Sequence, residues 1–266
     1  MMPHKNSESM GQHTCKNDNS YQEPIGRATM SSGIAEAVNY HRYLYSQIRP
    51  FLQGMVWEIG CGYGQYTRFL LDENFRVLAT DIDSNLLSPI QQNLAAAVSA
   101  GSLVVEKADL YCLADLQAVS AYKPNSIVCL NVLEHIKDDV ECLSRIRQVV
   151  KSGTVAVFLC PAHPTLYGFM DSEAGHYRRY TRRSLSRAFI DAGWQIKRSF
   201  YLNPVGALGW FVRNRILPPS SGSLDDPKVN ADIALFDRFI VPITRRLDLI
   251  TKPFFGQSVV VVASAP

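Results

Sequence analysis

The chain lacks any run of eighteen or so uncharged apolar residues, the length a membrane-spanning helix needs. Its longest candidate, 201–217, is broken by Pro204, Arg213, Asn214 and Arg215. Spanning is therefore excluded, while contact with a membrane surface stays open. A charge excess is also missing: 27 Lys and Arg stand against 24 Asp and Glu, a net +3, too little to point to nucleic acid. No C-x-x-C pair occurs among the six cysteines, Cys15, Cys61, Cys112, Cys129, Cys142 and Cys160. Neither a zinc-finger nor a dithiol-redox motif is present, no metal is expected, and free thiols in a cytoplasmic protein are the reading. The first thirty residues have no apolar h-region, so 1–32 is expected to be a disordered cytosolic tail.

What is present is ordinary globular material. The 266 residues are 47% hydrophobic and 19% charged, enough to bury a large core without staples. Ile34, Val38, His41, Tyr45 and Ile48 recur at three- and four-residue spacing, predicting an amphipathic helix that ends at Pro50. Strands are expected at 55–59, 75–80, 103–105, 127–130, 154–159, 194–201 and 258–262. Helices are expected at 65–71, from an Asp83 cap to Ala100, at 113–121, 138–150 and 181–192. Strand and helix alternate, which implies an α/β fold with a mostly parallel sheet and helices on both faces. The stretch 201–255 is too long for a plain connection. It is read as an inserted substrate or cap segment, which leaves 33–200 and 256–266 as the core.

The sharpest local signal is Glu58-Ile-Gly60-Cys61-Gly62-Tyr-Gly64, directly after a strand and opening a helix. Glycines there let backbone approach a nucleotide closely. A dinucleotide fingerprint requires a glycine at position 65, and this chain has Gln65. Asp81, 21 residues after Gly60 at the end of the second strand, is placed to accept hydrogen bonds from an unphosphorylated ribose. Asp109 stands after the third strand, where a carboxylate can read an adenine amino group. Asn131-Val132-Leu133-Glu134-His135 follows the fourth.

Through E-I-G-C-G-Y-G, T-D-I-D, A-D-L and N-V-L-E-H-I, residues 36–200 and the last strand resemble the class I S-adenosylmethionine-dependent methyltransferases. The resemblance implies a Rossmann-like seven-strand sheet whose last strand runs antiparallel beside the fifth. It also implies that Glu58, Gly60, Gly62, Asp81 and Asp109 bind the cofactor, with Cys61, Ile82, Leu110, Asn131, Val132 and His135 alongside them in the same strand-end loops. Tyr40 and Tyr43 either cover that cofactor or belong to the core. One departure is Asn125-Ser126, where many relatives carry an acidic residue.

Methyl transfer needs alignment above all, and an oxygen acceptor gains from a base of near-neutral pKa. His163, in Pro161-Ala-His163-Pro164, is one candidate. The other is His176, in Gly175-His176-Tyr177-Arg178-Arg179-Tyr180, which resembles a G-H-x-R-R-Y loop of one bacterial branch of these enzymes. His176 is preferred. Tyr177, Arg178 and Arg179 are candidate acceptor-binding residues, since guanidiniums suit an anionic group; the alternative is a solvated helix face plus a buried arginine paired with Asp171 or Glu173. Trp210, Phe211, Arg213 and Arg215 have the makeup of an interfacial helix, which fits a small-molecule or a lipid- or glycan-linked acceptor; the alternatives are that the segment roofs an apolar acceptor pocket or only packs on the sheet. Two rival functions remain at this point: a Rossmann oxidoreductase, and a protein that binds S-adenosylmethionine without transferring methyl.

Overall fold

The computed structural model describes residues 32–215 and 227–266; the expected tail, but for Ser32, lies outside them. In chain order the elements are α1 (Ser32–Glu36), α2 (Val38–Ile48), β1 (Met55–Ile59), α3 (Gln65–Asp72), β2 (Arg76–Asp81), α4 (Ser84–Asn93), α5 (Ala95–Ser99) and β3 (Leu103–Lys107). There follow α6 (Leu113–Ala121), β4 (Ser126–Leu130), α7 (Asp139–Gln148), β5 (Val155–Pro161), α8 (Phe169–Glu173), α9 (Arg182–Asp191) and β6 (Gln195–Leu202). Then come α10 (Pro204–Arg215), α11 (Pro227–Leu235), α12 (Val241–Thr251) and β7 (Ser258–Ser264). The seven strands form one sheet in the order β3-β2-β1-β4-β5-β7-β6. Only β7 runs against its neighbours, antiparallel to both β5 and β6.

Strict alternation along the strands feeds two cores, one on each face. Trp57, Phe158 and Cys160 pack with Phe189 and Trp194 on one side, while Val56, Val157 and Leu159 pack with Leu44 and Ile48 on the other. Both faces are covered, so the strands read as near-continuous apolar runs. Trp57 satisfies its indole by donating to Thr80 Oγ1 at 2.9 Å, which joins β1 to β2 inside the core.

Two helices expected to be continuous are broken. The lead-in helix is interrupted at Ala37. The helix expected from Asp83 to Ala100 stops at Asn93 and restarts at Ala95, with Pro89 inside its first half and Leu94 between the halves at φ −118° and ψ 27°. Asp83 caps the start as expected, accepting from the Asn85 backbone N–H at 2.9 Å. Cys61, Cys129, Cys142 and Cys160 are free and buried. Cys112 is disulfide-bonded, which departs from the expectation of free thiols throughout.

The segment 201–255 carries α10, α11 and α12, joined by a π-helical turn at Phe236–Ile240. It is stitched to the lead-in helices: Asn230 Oδ1 accepts from Gly33 N–H at 3.2 Å, and Asp237 Oδ1 from Tyr40 N–H at 2.6 Å. Among the described residues no helix is long and apolar enough to cross a membrane.

Candidate active site

The carboxyl ends of β1, β2, β3 and β4 meet at the edge of the sheet where open α/β folds hold their ligands. The turn after β1 is built from left-handed glycines, Gly60 at φ +70°, Gly62 at +53° and Gly64 at +77°. Backbone N–H groups of Gly60 and Cys61 both donate to Thr80 O, at 2.8 and 3.0 Å, so the turn is sewn to β2. Asp81 completes the seam: Oδ2 accepts from Gly62 N–H and Oδ1 from Asp83 N–H, each at 3.0 Å. Burial pushes the Asp81 carboxyl up, and those backbone donors partly offset the push.

Glu58 lies beneath this turn. Its Oε2 accepts from the Thr67 hydroxyl at 2.6 Å, while Oε1 is buried with no hydrogen-bond partner. Burial pushes its carboxyl up to about 8. A half-satisfied buried carboxyl under a glycine turn is suited to a ligand whose positive charge would stabilise its ionised form.

The other expected cofactor residues divide by environment. Ile82 and Asp109 are half-buried and Asn131 is exposed, at φ +54°, at the strand ends. Asp109 Oδ1 accepts from Tyr111 N–H at 2.8 Å. Val132 stands over Gly60. The Cys61 and Leu110 side chains instead point into the two cores; only their backbone can serve a ligand. Tyr43 is buried, its hydroxyl donating to Asp248 and accepting from Asn203 N–H at 3.0 Å. That makes it a joint between α2, α12 and the end of β6. Tyr40 rests edge-on against Phe236, ring centroids 6.0 Å apart.

Beyond β4 the chain turns through a 3-10 helix, Leu133–His135, and the loop between α8 and α9 is pinned to it by Tyr177 N–H donating to Glu134 O at 2.8 Å. This brings His135 and His176 together, rings 4.7 Å apart and nearly perpendicular. Asp171, 0% exposed in its side chain, holds the loop: Oδ1 faces His176 Nδ1 at 2.9 Å and accepts from Arg179 Nε at 2.7 Å. Burial pushes the Asp171 carboxyl up, and the His176 hydrogen bond and Arg179 charge more than reverse it, leaving it low. Glu134 is fully buried, its carboxyl pushed up to about 7 by burial against the pull of His176. Burial and the neighbouring His176 push His135 down to about 3.

His163 is elsewhere on the edge. It follows β5 at φ +59°, with its ring stacked on Tyr201 at 4.9 Å and close to Phe255 at 5.0 Å. Among the described residues no hydrogen bond or ring contact joins it to His176, although burial pushes the His163 imidazole down and Arg179, which binds Asp171, is near enough to add to the push by its charge. The arginines read as acceptor-binding are largely engaged. Arg179, 5% exposed, also donates to Ala162 O at 3.1 Å and lies over the Trp210 ring at 4.7 Å, which makes it the clamp of this loop. Arg178, the more open, reaches Asp139 at 3.0 Å and Lys137 O at 2.5 Å, with Tyr177 near its guanidinium. Asp171 had been legible only as an arginine partner, and Glu134 only as part of a motif. No spacing in the sequence marks either role; the adjacent acid and imidazole just beyond β4 is the one local hint for Glu134.

A family described as a methyltransferase domain matches residues 39–198. No curated protein matches the chain in sequence. Among solved structures, an S-adenosylmethionine-dependent methyltransferase from Archaeoglobus fulgidus is similar with a TM-score of 0.53 at 16% identity, over 84% of this chain and 94% of that one. The phosphoethanolamine N-methyltransferase 2 of Haemonchus contortus, solved with S-adenosyl-L-methionine, gives 0.54 at 14% identity, over 85% of this chain and 53% of that one. The (4+2)-cyclase SpnF gives 0.52 at 12% identity, over 93% and 86%. At such identities these likenesses show the fold.

Proposed function

Because the chain belongs to the methyltransferase-domain family, we propose that it transfers a methyl group from S-adenosylmethionine to an oxygen of a small-molecule or lipid- or glycan-linked acceptor in the cytoplasm. The observation that carries this reading is the glycine turn bonded to Asp81 above the unpartnered Oε1 of Glu58. A turn of left-handed glycines admits a nucleoside, the Asp81 carboxylate has lone pairs left for a ribose diol, and Glu58 offers its free oxygen to an ammonium. S-adenosylmethionine carries all three features and supplies, when bound, an electrophilic methyl on a sulfonium. Glu58, Gly60, Gly62 and Asp81 would hold it, with Asp109, Ile82, Asn131 and Val132 around the base.

The protein's remaining task is to align the acceptor and manage its proton. Asp171 grips His176 through Nδ1 and so leaves Nε2 for the acceptor side, an orientation His163 lacks. The acceptor hydroxyl accordingly loses its proton at His176, and Arg178 and Tyr177 border the same mouth. An apolar or membrane-associated acceptor is supported by the exposed side chains of the inserted helices and the turn after them, Phe211, Leu249 (82%) and Phe254 (78%). The Rossmann oxidoreductase reading is disfavoured by Gln65 at the diagnostic position.

Calorimetric titration with S-adenosylhomocysteine, beside NADH and a check for flavin absorbance, tests the cofactor. Micromolar binding of the first alone is expected; folded, ligand-free protein that ignores it refutes the reading. The His176→Gln variant is expected to keep that affinity while losing turnover by about 100-fold or more. Unchanged turnover places the proton's departure elsewhere.

A further inference from the structure

We propose that Glu134, His135 and His176 together bind one divalent transition-metal cation. Their donor atoms lie within 4.8 Å of one another. Two donors on one ion at about 2.1 Å stand at most about 4.2 Å apart, so a small inward adjustment completes the set. Proximity alone would carry little; the state of the donors carries more. Both carboxylate oxygens of Glu134, which is 0% exposed, and Nδ1 of His135 are buried with no hydrogen-bond partner beyond the weak thiol donor of Cys160 beside Glu134. Buried acceptors left so poorly answered are costly for a fold to maintain, and a cation held by the Glu134 carboxylate and the two imidazoles would answer that cost.

The third donor is prepared for the same task. Asp171 takes His176 by Nδ1 at 2.9 Å, which fixes the ring, raises its basicity and leaves Nε2 as the ligand atom, the arrangement typical of a metal-bound histidine and its carboxylate. The surroundings are stiff: Tyr177 N–H bonds Glu134 O, and the Gly175 backbone engages the His135 ring. Arg179, whose charge acts on Glu134, is committed to Asp171 and Ala162 O. The Cys160 thiol faces Glu134 from β5.

Two imidazoles and one carboxylate suit Zn²⁺, Fe²⁺, Co²⁺ or Mn²⁺ better than Mg²⁺ or Ca²⁺, which favour oxygen. Three protein ligands leave positions open for an acceptor oxygen. The inference rests on the proposed methyl transfer for its use: with Nε2 on the ion His176 could not also take the acceptor's proton, and the ion would instead make the hydroxyl acidic. The hydroxyl proton then leaves to water, the new O–CH₃ bond forms as the S–CH₃ bond breaks, and the electron pair returns to sulfur.

The test uses whole protein stripped with a chelator and titrated with Zn²⁺ by calorimetry, with Co²⁺ by visible absorption, and separately with S-adenosylhomocysteine. One equivalent of metal is expected, lost in Glu134→Gln and in His176→Gln, and weakened about 10- to 100-fold in Asp171→Asn. Each variant is scored only with a wild-type circular dichroism spectrum, and Glu134→Gln preserves shape where a truncation could unfold the core. Absence of stoichiometric binding, or binding that survives both ligand substitutions, overturns the metal site. Metal binding without S-adenosylhomocysteine binding overturns the cofactor reading and leaves the metal site standing; the reverse result does the opposite.

Discussion

Replacing Gly60 by alanine attacks the turn at its most constrained point. Gly60 has φ +70°, and a Cβ built there meets Val132 Cγ2 at 2.3 Å, with Val132 Cβ next at 3.6 Å. The substitution therefore carries two separable costs. Left-handed backbone costs an alanine about 1–2 kcal/mol, and forcing a methyl into the valine adds about 1–3 kcal/mol of overpacking. Val132→Ala alone removes two half-buried methyl groups, a loss of about 1 kcal/mol. In the double variant the clash disappears, because the remaining Val132 contact at 3.6 Å is ordinary, while the backbone strain stays. Urea unfolding of wild type, both single variants and the double variant should give a favourable coupling of about 1–3 kcal/mol. Additivity within about 0.5 kcal/mol would refute the claim that Val132 and Gly60 are in steric register, and with it the packing of the β4 end onto the glycine turn.

Asp81→Asn keeps the shape but turns one acceptor into a donor facing a backbone N–H. S-adenosylhomocysteine affinity should fall by about 30-fold, or about 2 kcal/mol, and unchanged affinity removes the ribose assignment. Burial pushes the Glu58 carboxyl up from its ordinary range to about 8, so the folded state binds the extra proton; the stability this contributes is full below the ordinary carboxyl range and declines as pH rises toward 8. Glu58→Gln should flatten this decline and exceed wild type in stability above pH 8 in ligand-free melts; parallel curves would contradict a protonated Glu58. Tyr43→Phe loses the hydroxyl shared by Asp248 and Asn203, at a cost of about 1–3 kcal/mol, and should speed proteolysis within α12; unaltered cleavage would show that the joint lies elsewhere.

What could be read from sequence is what is local or repeats at fixed offsets. The glycine turn declares itself because positive φ selects glycine within five residues, and Asp81 follows because one helix and one strand span a nearly constant length. The Leu94 break escaped because alanine-rich 95–97 carries no period to reset and no glycine marks the interruption. Arg179 was ambiguous for a related reason: a guanidinium that clamps a buried aspartate and one that receives an anion have the same neighbours in sequence. The histidine cluster is harder still. Glu134 and His135 meet His176 only because Tyr177 N–H closes on Glu134 O and Asp171 reaches forward five residues to orient the imidazole. Neither bond is encoded in a spacing, since the first depends on the β4 and β5 ends bringing two loops into register. The glycine turn and Asp81, proposed to hold the cofactor, are thus written into one βαβ unit, whereas the cluster of Glu134, His135 and His176 exists only once the sheet has assembled.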